Sequence, residues 1–326
     1  MIESIKRIRT LLPHTALSML TGKLLGDGSV SIEKSRKPRF RFSHTIYDKG
    51  WCFHCYEQLK SQLPLAEPKY QKSPDDRVKR GYTEKFYVQS YVCEKSSLLK
   101  DIWYPKGKKT LPLTMIKDYL NPLCLAWWYQ DDGHLKIENG KLRKVILSTD
   151  SFTEKENFYL QHLLEQKFHL TFLVDKQNRL VLYDQPQIYY FLSIVKPFIH
   201  QSMNRKINIP IQEAAFPSYK RTTVYLPSFI ELDKPTNDIY NALEALPNLY
   251  SFVSNNTSYH QLFQKLFPSL SLEKDKLKSY QIRLKEEQLI GLQKCQHITG
   301  LRTSQLIHLC FIINGNENYI TELSHL

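Results

Sequence analysis

The chain has 326 residues, of which 42% are hydrophobic, so it is long enough to form two or three domains with buried cores. Its formal net charge of +13 favours a polyanionic partner, most commonly nucleic acid, although a merely basic surface would give the same balance. No stretch approaches the roughly 20 apolar residues of a membrane-spanning helix, and the first residues lack the apolar centre of a signal peptide. We therefore expect a soluble intracellular protein with no membrane partner, in a bacterial cytoplasm or in an organelle such as a mitochondrion or chloroplast.

The first structured unit opens with an apolar helix over residues 15–25, which ends in a Gly-Asp-Gly turn around Asp27. Glycine commonly ends a helix because it accepts a positive φ. Residues 39–44 then alternate between polar and apolar side chains, which predicts a strand with Arg39 and Arg41 on one face. A sheet with an apolar back and such a cationic front could lie on DNA.

Two of the six cysteines, Cys52 and Cys55, have a spacing that also occurs in zinc sites. No second pair of Cys or His follows at the distance that would complete four ligands. The surrounding residues 50–62 have the pattern of an amphipathic helix. We therefore expect two buried thiols in a helix rather than a zinc site.

The same order of elements starts again in the second part of the chain. An apolar helix over residues 121–130 precedes Asp132, and a polar turn then leads into a basic strand that carries Lys141 and Arg143. An internal duplication is therefore the main organisational feature. The candidate DNA-contacting side chains are Arg39, Arg41, Lys141 and Arg143, with an exposed basic face that has no partner as the alternative. The predicted domains are a first repeat at 10–112, a second repeat at 113–220, a connecting segment at 221–270 and a C-terminal module at 271–326.

In both units an aspartate, Asp27 or Asp132, closely follows an apolar helix. A single Asp-Gly pair is an ordinary turn signal, but two pairs at equivalent positions of a repeated unit in a basic chain favour one shared site. Small residues such as Gly22 and Ala126 would let the two helices pack closely and bring the carboxylates together. Two adjacent carboxylates repel each other unless a divalent cation lies between them, and Mg²⁺ prefers oxygen ligands. Such a site can activate water for phosphodiester hydrolysis.

The segments LTGKLLGDG (20–28) and LAWWYQDDG (125–133) resemble the two motifs of LAGLIDADG homing endonucleases. The second half, through VILSTDSFTEKENFYL to IVKPFIHQSMNRKI, is most similar to the monomeric omega-type branch encoded by mobile introns. The likeness spans roughly residues 10–220. It implies an α+β fold in which two pseudo-symmetric αββαββα repeats form a DNA-binding saddle. A small, mainly helical C-terminal module is expected beyond the repeats.

The resemblance also implies roles for individual residues. The ligands of Mg²⁺ would be the carboxylates of Asp27 and Asp132 and the carbonyl groups of Gly26 and Asp131. Lys109 and Lys206 match basic residues that hold or polarise water and steady the phosphate, although a solvated phosphate contact would explain either lysine as well. One position departs from the motif, since bulky Trp127 replaces a small residue. We therefore expect a less symmetric interface between the two motif helices.

The C-terminal residues show a second, independent signal. A short strand over 280–284, a helix, a glycine and a second helix resemble a ribbon-helix-helix module. Gln281 and Arg283 would face the major groove of DNA, and a second helix beginning near Thr303 could meet a phosphate. Such modules normally pair their strands between two chains. The protein is thus expected to be a monomer that could dimerise through this module, or the segment is a helical appendage.

Three functions are compatible with these features. The first is a site-specific endonuclease that cuts double-stranded DNA at a long recognition site, as in intron homing. The second is a maturase that binds its host intron RNA, and the third is a catalytically inactive DNA-binding regulator. Retention of both Asp27 and Asp132 favours the endonuclease because neither binding role needs the acidic pair.

Overall fold

The computed structural model describes residues 1–31, 36–210, 221–270 and 276–315. It divides into two units. The first unit comprises Met1–Ile137, Arg143–Tyr183 and Ile194–Ile209. The second comprises Glu138–Leu142, Asp184–Ser193 and the described residues from Pro210 onward. The domain limits predicted at 220, 271 and 326 lie outside the described residues, as do residues 211–220 at the end of the predicted second repeat.

The first repeat follows a short leading helix, α1 (Ile2–Leu11). Its elements are α2 (His14–Leu25), β1 (Ser29–Val30), β2 (Phe40–Thr45), α3 (Lys49–Leu59), β3 (Lys69–Pro74), β4 (Tyr82–Gln89) and α4 (Glu94–Trp103). The four strands form one antiparallel sheet in the order β1-β2-β4-β3. Phe40, Phe42 and His44 of β2 are buried while Arg41 is exposed, so the strand has the two faces that its alternating sequence predicts.

The second repeat follows α5 (Leu113–Tyr119) and has the same order of elements. They are α6 (Pro122–Asp132), β5 (Gly133–Glu138), β6 (Lys141–Leu147), α7 (Glu154–Phe168), β7 (Leu173–Val174), β8 (Leu180–Leu182) and α8 (Gln185–Val195). The strand order β5-β6-β8-β7 repeats the topology of the first sheet. The predicted α+β fold with two αββαββα repeats is therefore confirmed.

Helices α2 and α6 pack against each other along the centre of the first unit. A Cβ atom on Gly22 of α2 would lie 2.6 Å from the Cys124 carbonyl oxygen and 2.8 Å from the Trp127 Cβ atom of α6. The large Trp127 is thus accommodated because glycine stands opposite to it, and its side chain is buried. The departure from the small-residue motif therefore makes the residues on the two sides of the helix interface unequal in size, but the two helices still pack closely.

The second unit is built around a two-stranded antiparallel ribbon. Its elements are β9 (Thr222–Pro227), α9 (Pro235–Leu243), α10 (Leu246–Ser254), α11 (Asn256–Leu266), β10 (Leu277–Ile282), α12 (Glu286–Thr299) and α13 (Thr303–Asn314). Residues 221–270, which were predicted to be a connecting segment, thus contain one strand and three helices. Prolines concealed the helical pattern, although Pro235 and Pro247 lie in first turns, where a missing N–H costs little. The strand predicted at 280–284 begins earlier and pairs with β9 of the same chain rather than with a second copy.

Cys52 and Cys55 are fully buried free thiols in α3, as predicted. Among the described residues, no helix has both the length and the apolar character needed to cross a membrane.

Candidate active site

Asp27 and Asp132 lie at the neighbouring ends of α2 and α6, because the two helices pack side by side. Gly26 separates the end of α2 from Asp27, and its φ of −99° does not require glycine. The predicted reason for this glycine is therefore wrong. A Cβ atom at position 26 would lie 2.5 Å from the Cβ atom of Asp131, so glycine is needed for close approach of the two helix ends.

The two aspartates differ in their electrostatic surroundings. Burial, together with the nearby carboxylates of Asp27 and Asp131, raises the pKa of Asp132 to about 7. Partial burial alone would also raise the pKa of Asp27, but a hydrogen bond from His44 and the positive charges of Lys23 and Lys206 lower it. Near neutral pH, Asp27 is therefore ionised, whereas Asp132 is only partly ionised.

A buried polar network supports Asp27 from behind. The ammonium of Lys23 lies 2.8 Å from Asp131 Oδ1 and 2.8 Å from His44 Nε2, and it sits over the ring of Phe42 at 4.5 Å. Trp51 Nε1 donates a hydrogen bond of 2.7 Å to Asp131 Oδ1. The Lys23 and Asp131 side chains are both 0% exposed. Burial disfavours the charge on Lys23, but Asp131 and Asp27 outweigh it and raise the pKa of this lysine.

The protonation pattern of this network follows from its donors. Because Lys23 stays charged and can only donate, His44 Nε2 must accept. His44 Nδ1 then carries the proton and points it at Asp27 Oδ2, 3.2 Å away. Asp27, His44 and Asp131 form a group with metal-ligand spacing, but the His44 nitrogens and the Asp131 carboxylate are already engaged. We therefore assign this group to the support of Asp27 rather than to metal binding.

The two lysines predicted for the site, Lys109 and Lys206, both lie beside the ends of the motif helices, although they come from opposite halves of the chain. Lys109 Nζ donates to the Gly28 carbonyl oxygen at 3.2 Å, just beyond Asp27. Lys206 Nζ donates to three carbonyl groups at the end of α6, those of Tyr129, Gln130 and Asp131. Burial lowers the pKa of both lysines, that of Lys206 to about 8. The Asp131 carbonyl, predicted as a metal ligand, thus already accepts a bond from Lys206.

The predicted DNA-contacting side chains are exposed in the structure. Arg39 precedes β2 and Arg41 lies on it, where its guanidinium bonds the Ser29 hydroxyl at 3.3 Å. Lys141 and Arg143 occupy the equivalent strand β6 of the second sheet. The remaining predicted contacts, Gln281 and Arg283, are exposed residues of the second unit.

Sequence analysis missed His44, the Asp131 side chain and Trp51. One signal was present, since Lys23 interrupts an otherwise apolar helix, and a lysine that faces a helix partner needs a buried acid. Which acid it would meet depends on the packing of α2 against α6. Sequence spacing does not encode that register.

The residues at the helix ends fit a divalent cation. The carboxylate oxygens of Asp27 and Asp132 are hard donors, and a divalent cation between them would offset the charge repulsion that contributes to the raised pKa of Asp132. Asp27 is 36% exposed at its side chain, so this end of the site is open to a substrate.

Comparison with known proteins places these observations in a family. An intron-encoded endonuclease from Dictyostelium discoideum is 32% identical over 132 residues, which cover 39% of this chain and 79% of the relative. A cytochrome b mRNA maturase from Debaryomyces hansenii is 32% identical over 206 residues, which cover 59% and 72%. The fold is similar to that of the homing endonuclease I-WcaI bound to its DNA recognition sequence, with a TM-score of 0.55, 20% identity and coverage of 64% of this chain and 93% of that one. Residues 17–189 match the LAGLIDADG DNA endonuclease family, and the chain belongs to this family.

Proposed function

We propose that this protein is a site-specific endonuclease that cuts both strands of DNA at a long target, as a homing enzyme of a mobile intron does. The observation that carries the proposal is the pairing of Asp27 and Asp132 at adjacent helix ends, where burial and the neighbouring carboxylates raise the pKa of Asp132. Membership of a family of DNA endonucleases agrees with this chemistry.

The reaction is the hydrolysis of a phosphodiester bond, in which water attacks phosphorus and the 3′ oxygen leaves. Asp27 and Asp132 would hold the cation, with the Gly26 carbonyl as a further ligand. Mg²⁺ bound there would supply an activated water and neutralise charge on the phosphate. His44 fixes the orientation of Asp27 through its Nδ1 proton, and Lys23 keeps His44 in that tautomer.

The two lysines contribute differently. An ammonium group has three N–H donors, and Lys206 donates all three to carbonyl groups. It therefore anchors the end of α6 and places a positive charge at a fixed position. Lys109 donates one bond to Gly28, which leaves it suited to contact water or a phosphate oxygen. The outward basic residues of β2 and β6 hold the DNA backbone and reach base edges.

The direct test uses a plasmid that carries the allele from which the open reading frame is absent. Purified protein with Mg²⁺ should linearise this plasmid and leave a plasmid with the interrupted allele intact. Equal cleavage of both plasmids, or nicking alone, would contradict site-specific double-strand cleavage.

Maturase activity is the second candidate, because one matched relative is named as an mRNA maturase. Tight binding to a host intron transcript with no cleavage of the plasmid would favour that role. Tight binding to the DNA allele with neither cleavage nor RNA binding would favour an inactive regulator.

Lys109→Met is expected to slow cleavage by about 10²-fold with only a small change in the midpoint of urea unfolding, because it removes a charge at the phosphate and a single hydrogen bond to the Gly28 carbonyl. Lys206→Met should slow cleavage and also lower the midpoint, since three helix-end carbonyl groups lose their donor. Lys108→Met, which removes an exposed neighbouring lysine, is the matched control. A catalytic defect of Lys108→Met equal to that of Lys109→Met would show that only general charge matters.

Affinity for Mg²⁺ is expected to rise between pH 6 and pH 8. Below a pKa of about 7, Asp132 must lose a proton to bind the cation, so affinity should change by up to about tenfold per pH unit there. The groups that face Asp132 are Asp27, Asp131, Lys109 and Lys206. Lys206 has a pKa of about 8, so it also loses its positive charge as the pH rises, and this change acts on the affinity in the same direction as the ionisation of Asp132. Calorimetric titration with Mg²⁺ measures this, and a pH-independent affinity would exclude Asp132 as the titrating ligand.

A further inference from the structure

The ribbon of the second unit is formed by one chain alone. β9 and β10 pair antiparallel over six residues each, with Thr223 opposite Gln281 and Tyr225 opposite Ser279. β9 leads into the three helices α9, α10 and α11, and β10 leads into the two helices α12 and α13. The unit therefore contains both strands of a two-stranded ribbon with the helices that support them.

The two faces of the ribbon have opposite characters. Val224, Leu226 and Ile282 point inward and are at most 3% exposed. Thr223, Tyr225, Ser279 and Gln281 lie on the other face and are exposed. These four side chains all carry hydrogen-bonding groups, whereas the apolar residues of the same face, Pro227 and Leu277, lie at one end of the ribbon. The exposed part of the face therefore suits a polar partner.

One end of the outer face is basic. Arg221 precedes β9 and Arg283 follows β10, and because Thr222 pairs with Ile282 the two arginines lie at the same end of the ribbon. Continuing the strand alternation places both on the outer side. Neither strand contains an acidic residue. This charge pattern fits a polyanion that passes along the polar side chains and meets two cations at one end of the ribbon.

The helices hold the ribbon in place. The Ser304 hydroxyl at the start of α13 accepts a hydrogen bond of 3.0 Å from the Tyr225 backbone N–H. α13 packs on β9 and on α9, while α10 packs on α12. The start of α13, predicted as a phosphate contact, thus satisfies one backbone N–H on the edge of β9.

We propose that the outer face of this ribbon enters the major groove of DNA and reads base edges with Thr223, Tyr225, Ser279 and Gln281. The major groove, about 12 Å wide, admits a two-stranded ribbon. Arg221 and Arg283 contact phosphates at the end of the ribbon where both arginines lie. Because one chain supplies both strands, the module is complete without a second copy. The choice of DNA as partner rests on the proposed endonuclease function, whereas the single-chain ribbon does not.

The test is selection of binding sites from a pool of random 60-base-pair duplexes (about six helical turns) by the full-length protein without divalent metal. The wild-type protein should select two separate conserved blocks. The double variant Tyr225→Ala with Gln281→Ala should select one block and bind the wild-type consensus about 10-fold more weakly. The double variant Tyr250→Ala with Lys265→Ala removes exposed side chains from α10 and α11 of the same unit, and it should behave as wild type.

Further measurements keep the outcomes distinct. Photocrosslinking of the wild-type protein to iodouracil-substituted consensus DNA should label Tyr225, and sedimentation should give one protein per duplex. Identical selected sites for wild type and the ribbon variant, with no Tyr225 crosslink, would overturn the proposal, and two proteins per duplex would overturn the single-chain ribbon. Two selected blocks without plasmid cleavage would contradict the endonuclease alone.

Discussion

Replacing Asp132 with asparagine is expected to abolish DNA cleavage and also to make the metal-free protein more stable at pH 8. Cleavage should fall by about 10³-fold or more, because the cation loses a carboxylate while DNA binding is kept. The stability gain should be up to about 4 kcal/mol, because the wild-type protein must ionise a carboxyl group whose pKa the fold raises from 3.8 to about 7, and each pH unit between the two values corresponds to about 1.4 kcal/mol. Plasmid linearisation and urea unfolding in a metal chelator measure the two effects.

The pH dependence of that gain has a definite sign. Below about pH 3, Asp132 is mostly protonated in both the folded and the unfolded chain, so the variant and the wild type should be equally stable. As pH rises towards 7, the unfolded chain releases the proton more readily than the folded one, and the wild type loses stability relative to the variant. A stability difference that is the same at pH 4 and pH 8 would contradict this account.

Asp27→Asn is the matched control for the same experiment. It should abolish cleavage as fully as Asp132→Asn, because both carboxylates hold the cation. It should not produce the same stability gain, since His44 and Lys23 favour the ionised form of Asp27 and lower its pKa. Two aspartates with equal catalytic defects and unequal stability effects would support the asymmetry of the site. Cleavage that survives both substitutions would exclude the proposed mechanism.

Lys23→Met is expected to destabilise the protein by about 3–5 kcal/mol. The substitution preserves the length of the side chain, but it leaves the Asp131 carboxylate fully buried without its counter-ion. His44 also loses the donor that holds its tautomer, so the remaining folded protein should cleave more slowly. The midpoint of urea unfolding gives the first effect, and cleavage rates at saturating Mg²⁺ give the second.

A double-mutant cycle separates the ion pair from general packing. Lys23→Met combined with Asp131→Asn should recover much of the lost stability, because no unpaired charge then remains in the interior. Arg7→Met, which breaks the exposed Arg7–Glu94 pair, should change the midpoint little. If the two substitutions in the network were simply additive, Lys23 and Asp131 would not act as a pair.

The repeat structure and the acidic pair were predictable from the sequence because they depend on local patterns. An apolar helix followed by Asp-Gly occurs twice, and the alternation around Arg41 defines a strand with one polar face. These features are set by side chains a few residues apart. The order of elements and the two faces of β2 accordingly agree with prediction.

The support of the site was not predictable in this way. Lys23 and Asp131 are far apart in sequence, and they meet because α2 and α6 pack in one particular register. The need for glycine at position 26 has the same origin, since it comes from a neighbouring helix and not from its own φ. In the second unit, β9 was not predicted from the sequence because its partner strand lies some 50 residues later in the chain.

The sequence by itself determined the family motifs, the two candidate metal-binding aspartates and the basic faces of both repeats. Tertiary structure alone decided which aspartate is protonated, because desolvation and neighbouring charges depend on what packs around each carboxylate. It also decided that β10 pairs within its own chain. Asp27 and Asp132 occupy equivalent places in the duplicated sequence, yet His44 and Lys23 support only Asp27, so packing makes a symmetric motif pair into an asymmetric site.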